Sequence, residues 1–243
     1  MTELAARGAD AFLVGHALLK HPDPGRKLRQ LLGAEPEDAP LLKVCGLTAA
    51  EDARAARDAG ADLLGVIFAD CPRQVTPDQA AAIRRAVPDA RLVGVFRDEE
   101  PAHVAAVAAA CDLDLLQLHG NETPDVCTAL RNTTGLPVIK AFAAGPGLRE
   151  RALACPAAYL LLDRPKNGPQ PAPGVLDDEL LAAAAELRAA GRTVLLAGGI
   201  DAGTVGAALA AAPDGVDVCR GVETAPGRKD HALLRVLGQE VHP

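Results

Sequence analysis

The chain has 243 residues, 49% of them hydrophobic and 2% aromatic, with a formal net charge of −7. That length and apolar content suffice for one barrel-sized core, while the acidic balance and the scarcity of stacking side chains argue against a nucleic-acid partner. No apolar run approaches a membrane span and the N-terminus has no secretory pattern, so no membrane partner and a cytoplasmic location are expected.

Residues 1–33 read as a helix end, a strand over 11–15 and a basic amphipathic helix through Lys27, Leu28, Leu31 and Leu32. Residues 34–40 are acidic and contain proline, which is linker composition, so the expected domains are 1–40 and 41–243. From Leu41 onward short runs rich in Val, Ile and Leu alternate with alanine-rich helical stretches: 41–44, 63–68, 92–96, 115–119, 137–142, 158–163, 193–198 and 215–219. These β-then-α units form the pattern of a (β/α)₈ TIM barrel, here with an N-terminal β-α extension. Nearly continuous apolar strands fit staves buried on both faces. An open doubly wound sheet would need fewer strands and a glycine fingerprint after the first, which the turn after Cys45 lacks. Helix starts are marked by Thr76-Pro77-Asp78-Gln79 and Thr123-Pro124, and a capping box is predicted at Thr48 and Glu51.

In a parallel barrel, chemistry sits where strands end and loops begin. Cys45, in Lys43-Val44-Cys45-Gly46-Leu47-Thr48, ends the first strand; it is either a small buried hydrophobe or, given a stabilised thiolate, a base. Arg73 follows the second strand, as a solvated charge or a bidentate carboxylate clamp. His119 ends the fourth, as a hydrogen-bonded rim side chain or a substrate contact. Asp163 ends the sixth, as a helix cap or a general acid. Gly198-Gly199 and Cys219-Arg220-Gly221 end the seventh and eighth, where glycines either make tight turns or bare their N–H groups to a phosphate. The six cysteines are scattered without metal-ligand spacing, so neither a disulfide framework nor a metal site is expected.

Taken in order, Lys43-Val44-Cys45-Gly46-Leu47-Thr48, Pro72-Arg73-x-Val75, Gly94-Val95-Phe96, Gln117-Leu118-His119-Gly120-Asn121-Glu122, Leu161-Leu162-Asp163, Ala197-Gly198-Gly199 and Gly221-Val222-Glu223 with Pro226 to Asp230 resemble phosphoribosylanthranilate isomerase of tryptophan biosynthesis. The resemblance covers residues 41–238. It implies a cofactor-free Amadori rearrangement of N-(5-phosphoribosyl)anthranilate to 1-(2-carboxyphenylamino)-1-deoxyribulose 5-phosphate. It makes Cys45 the general base and Asp163 the general acid, with Arg73 receiving the anthranilate carboxylate and His119 contacting substrate. The phosphate falls to Gly198, Gly199, Gly221 and neighbouring Arg220. The implied ligand is a phosphorylated small molecule, and the implied assembly a monomer or homodimer.

A second, partial resemblance covers 3–33: Ala6 to Gly15 and Asp23-Pro24-Gly25 with Leu28, Leu31, Leu32 and Gly33 look like the C-terminal end of indole-3-glycerol-phosphate synthase. It implies contact with, or origin from, such a synthase domain, with no activity of its own. Two departures touch the isomerase pattern. Where the family has a glycine-rich loop after the aspartate, residues 164–173 carry prolines at 165, 169 and 171; and Cys219-Arg220 stands where Ser-Ser is common. Base and acid remain, so activity is expected to survive. The alternatives are a catalytically weakened sugar-phosphate-binding barrel acting as a sensor or interaction module, and a Schiff-base aldolase using Lys140.

Overall fold

The computed structural model describes residues 39–165 and 175–243, together with Leu28. The synthase-like tail over 3–33, the linker as far as residue 38, and the proline-containing loop beyond Pro165 lie outside the described residues. The chain divides between Ala39 and Pro40, and the unit from Pro40 to Pro243 is described by itself.

That unit follows the predicted alternation. Strand β1 (Leu41–Cys45) leads to α1 (Ala50–Asp58), β2 (Leu63–Ile67) to α2 (Pro77–Ala86), β3 (Arg91–Phe96) to α3 (Pro101–Ala110), and β4 (Leu115–Leu118) to α4 (Pro124–Thr134). The second half repeats it with β5 (Val138–Ala143), α5 (Leu148–Ala154), β6 (Tyr159–Asp163), α6 (Asp178–Ala189), β7 (Val194–Leu196), α7 (Val205–Ala210) and β8 (Gly215–Val218). A two-stranded hairpin, β9 (Glu223–Ala225) and β10 (Arg228–Lys229), precedes the last helix, α8 (His231–Val241). Strands β1 to β8 pair in parallel in sequence order, and β8 pairs back onto β1, closing the barrel. Among the described residues no helix is long and apolar enough to cross a membrane.

Strand side chains alternate between two faces, and in a closed barrel one face is the interior. Leu41, Leu63, Val93, Leu115, Ile139, Tyr159, Leu161 and Leu195 form the buried inner cluster. Their neighbours Leu42, Leu64, Leu92, Leu116, Val138, Leu160, Leu162 and Val194 pack outward against the helices. Counting in twos from the inner cluster toward the strand ends gives Lys43 and Cys45 on β1, Gln117 on β4, Asp163 on β6 and Asp217 on β8. The register places these five side chains toward one end of the barrel.

Local signals acted where predicted, with one exception. Thr76 and Gln79 form the reciprocal capping box of α2 with Pro77 at its first turn, and Thr123 caps α4 ahead of Pro124. Thr48 does not cap α1. The N-cap is Ala49, without a side-chain bond, because the Thr48 hydroxyl donates instead to the Gly227 carbonyl at 2.6 Å, tying the first loop to the β9–β10 hairpin.

Candidate active site

Below the thiol of Cys45, Lys43 and Asp217 face each other as register partners on adjacent strands, 2.8 Å apart, Lys43 shut off from solvent and Asp217 buried at the cavity floor. Burial alone would lower the Lys43 ammonium's pKa, but the Asp217 carboxylate outweighs it and holds the group above the ordinary lysine value. Cys45 is itself buried. Burial pushes its thiol pKa up, and the cationic Lys43 and Lys229 pull it back only in part. The resting group is therefore a thiol within reach of a permanent positive charge.

Lys229 approaches from the hairpin. Its ammonium donates to the Cys45 carbonyl at 2.6 Å and the Cys219 carbonyl at 3.0 Å, and pairs with Glu223 at 3.0 Å. Arg73 joins this group through a bidentate bond to Glu223, Nε at 2.8 Å and Nη2 at 2.6 Å. Burial would raise the Glu223 carboxyl's pKa, yet Arg73 and Lys229 together keep it below the usual range. Arg73 thus arrives at the cavity already fixed in orientation. Its approach explains Gly46, whose φ is +76°: a Cβ there would stand 2.7 Å from Arg73 Cδ. Cys219, beside these groups, has its thiol pushed up to about 12 by burial.

Across the cavity, Asp163 presents Oδ2 to His119 Nε2 at 3.3 Å, while Oδ1 accepts the Arg164 backbone N–H at 2.7 Å. Gln117 Nε2 lies 2.9 Å from His119 Nδ1. An amide nitrogen only donates, so with Gln117 in this orientation Nδ1 accepts and the ring N–H is at Nε2, toward Asp163 Oδ2.

Cys45, Arg73, His119 and Asp163 line one cavity of about 370 Å³, together with Gly198, Gly199, Arg220 and Gly221. The structure thus brings every site residue predicted from sequence to one end of the barrel. The turns after β7 and β8 touch through a bridge between Asp201 and Gly221, where a Cβ on Gly221 would collide with the Ile200 carbonyl. Arg220 is exposed at the rim and leaves the cavity open.

Sequence reading missed Lys43, Asp217, Lys229 and Glu223 as a charged network, and Arg97 and Arg164 as cavity-lining groups. Strand parity was the available signal for Lys43 and Asp217. Nothing in sequence pairs Lys229 with Glu223, because a hairpin does. The aldolase alternative at Lys140 finds no support: this lysine shares the outward face of β5 with Val138, bonds the Gly120 carbonyl at 2.8 Å and pairs with Glu122 at 3.1 Å. It is not among the cavity-lining residues, so a Schiff base there has no substrate to meet.

Residues 42–240 match the family described as N-(5'-phosphoribosyl)anthranilate (PRA) isomerase. The N-(5'-phosphoribosyl)anthranilate isomerase of Desulforudis audaxviator is 46% identical over 200 residues, spanning 80% of this chain and 94% of that protein. The crystal structure of phosphoribosyl anthranilate isomerase from Thermus thermophilus superposes with a TM-score of 0.73 at 38% identity, covering 83% of this chain and 98% of that one. A phosphoribosyl anthranilate isomerase in complex with reduced 1-(o-carboxyphenylamino)-1-deoxyribulose 5-phosphate superposes with a TM-score of 0.71 at 30% identity, covering 83% and 98%. The barrel, its polar end and these likenesses agree: the chain belongs to the N-(5'-phosphoribosyl)anthranilate isomerase family.

Proposed function

We propose that the protein catalyses the Amadori rearrangement of N-(5-phosphoribosyl)anthranilate, with Asp163 as general acid and Cys45 as general base. The observation that carries this reading is the placement of a buried thiol beside a fixed ammonium, and of a carboxyl group held by His119, on one cavity of substrate size.

The reaction needs two proton transfers of opposite sense. Asp163, as the protonated acid, delivers its proton to the ribose ring oxygen, and the ring opens to a Schiff base. The Cys45 thiolate then removes the proton from C2′, giving an enolamine, and reprotonation at C1′ yields the ketone. His119, 3.3 Å from Oδ2, orients the carboxyl group, and Asp163 regains its proton from the enol hydroxyl at C2′ as the ketone forms. Lys43 stabilises the thiolate without transferring a proton itself, because Asp217 keeps it charged. Arg73 receives the anthranilate carboxylate on the end-on edge of the guanidinium that Glu223 does not occupy. Gly198, Gly199 and Gly221 offer their backbone to the phosphate, whose binding energy orients the reacting carbons.

The test is direct. Purified protein mixed with freshly prepared phosphoribosylanthranilate should consume its fluorescence catalytically. Binding of the phosphate ester without turnover would instead support the binding-module alternative.

A further inference from the structure

A charge removed from water needs a counter-charge or a full set of hydrogen bonds. Arg164 has neither. Its side chain is 5% exposed, and its Nε and Nη2 are buried without a hydrogen-bond partner. Among the described residues no carboxylate pairs with it.

The guanidinium lies directly on the turn after β7. A Cβ on Gly199 would stand 2.6 Å from Nη1 and 3.1 Å from Cζ, and one on Gly198 2.8 Å from Cγ. Both glycines have positive φ, +89° and +94°, so the bare turn and the arginine above it are one construction. The same end of the cavity holds Gly221. A planar donor fork beside a glycine turn fits a tetrahedral oxyanion with several acceptor oxygens.

We infer that Arg164 is the cationic half of the phosphate seat and takes the 5-phosphate dianion of the substrate through Nε and Nη2. The identity of the ester rests on the isomerase reading; the seat does not. This assigns the charge at the seat to Arg164 in place of Arg220, which is exposed at the rim. The bound dianion supplies the missing partner, so the cost of burying the guanidinium is recovered only in the complex, and ligands without a phosphate are selected against.

Inorganic phosphate is the probe. Its inhibition constant against phosphoribosylanthranilate turnover should rise at least about tenfold in Arg164→Gln, KM should rise by a larger factor than kcat falls, and Arg164→Lys should recover part of both. An inhibition constant within about twofold of wild type, in a variant with an unchanged circular dichroism spectrum, overturns the inference. Should Arg164→Gln not fold, crystals of the wild-type protein grown in phosphate decide: the ion is expected within hydrogen-bond distance of Nε or Nη2, and its absence there overturns the inference. Calorimetric phosphate binding separates the two readings. Weakened binding in Arg164→Gln, with no turnover by wild type, keeps the seat and removes the isomerase; turnover with undisturbed phosphate binding removes the seat alone.

Discussion

In the proposed mechanism Cys45 enters the reaction as a buried thiol, and the expected pH dependence follows from that burial. A base works only when deprotonated, so turnover limited by Cys45 is present above its pKa and lost as pH falls through it. Because burial outweighs Lys43, that pKa lies above the ordinary thiol value. We expect kcat/KM to climb on the alkaline side of about pH 8.5, in parallel with the rate of Cys45 alkylation by iodoacetamide. A profile that is flat from pH 7 to 10 would show that the free thiol does not limit the reaction. Cys45, Asp163 and His119 were legible because each ends a strand, and position alone orients a strand-end side chain. Arg164 was not legible, since its burial comes from Gly198 and Gly199, residues more than thirty positions away in the chain.

At the scale of elements, the Lys43–Asp217 pair joins β1 to β8 inside the barrel. Breaking one partner of a buried pair leaves an uncompensated charge and costs about 3–5 kcal/mol, whereas replacing both with apolar groups is often neutral. Lys43→Met is therefore expected to lower the urea midpoint sharply, and Lys43→Met with Asp217→Leu to restore most of it. Turnover should stay low in both, since Cys45 has lost the stronger of its two neighbouring cations. Recovery of activity in the double variant would contradict the role given to Lys43. By contrast, Thr76→Ala should cost about 1 kcal/mol of stability through loss of the α2 cap and leave kcat intact. Caps at Thr76 and Thr123 could be read from local sequence because their partners lie three residues away. Thr48 could not, because its competing acceptor, the Gly227 carbonyl, arrives only when the barrel closes.

For the whole molecule, the same buried groups set a stability window. Glu223 titrates below its usual value, so its contribution is complete above about pH 4.3 and lost as pH falls through its folded value. Cys45, Cys219 and Lys43 titrate above theirs. The two thiol contributions are complete below about pH 8.5 and erode as pH rises, and that of Lys43 erodes above about pH 10.4. Urea midpoints measured against pH should form a plateau across neutrality and fall on both sides; a midpoint still rising beyond pH 9 would contradict these shifts. Alternation of apolar strands and alanine-rich helices made the barrel legible, because strands buried on both faces leave few other architectures. The charged network at its mouth was less so, being assembled from β1, β8 and the β9–β10 hairpin. If a thiol and a carboxyl group serve one cavity as base and acid, steady-state turnover of phosphoribosylanthranilate must collapse in both Cys45→Ala and Asp163→Asn. Each folded variant is predicted to lose at least about two orders of magnitude in kcat; either one working at close to the wild-type rate would contradict the account.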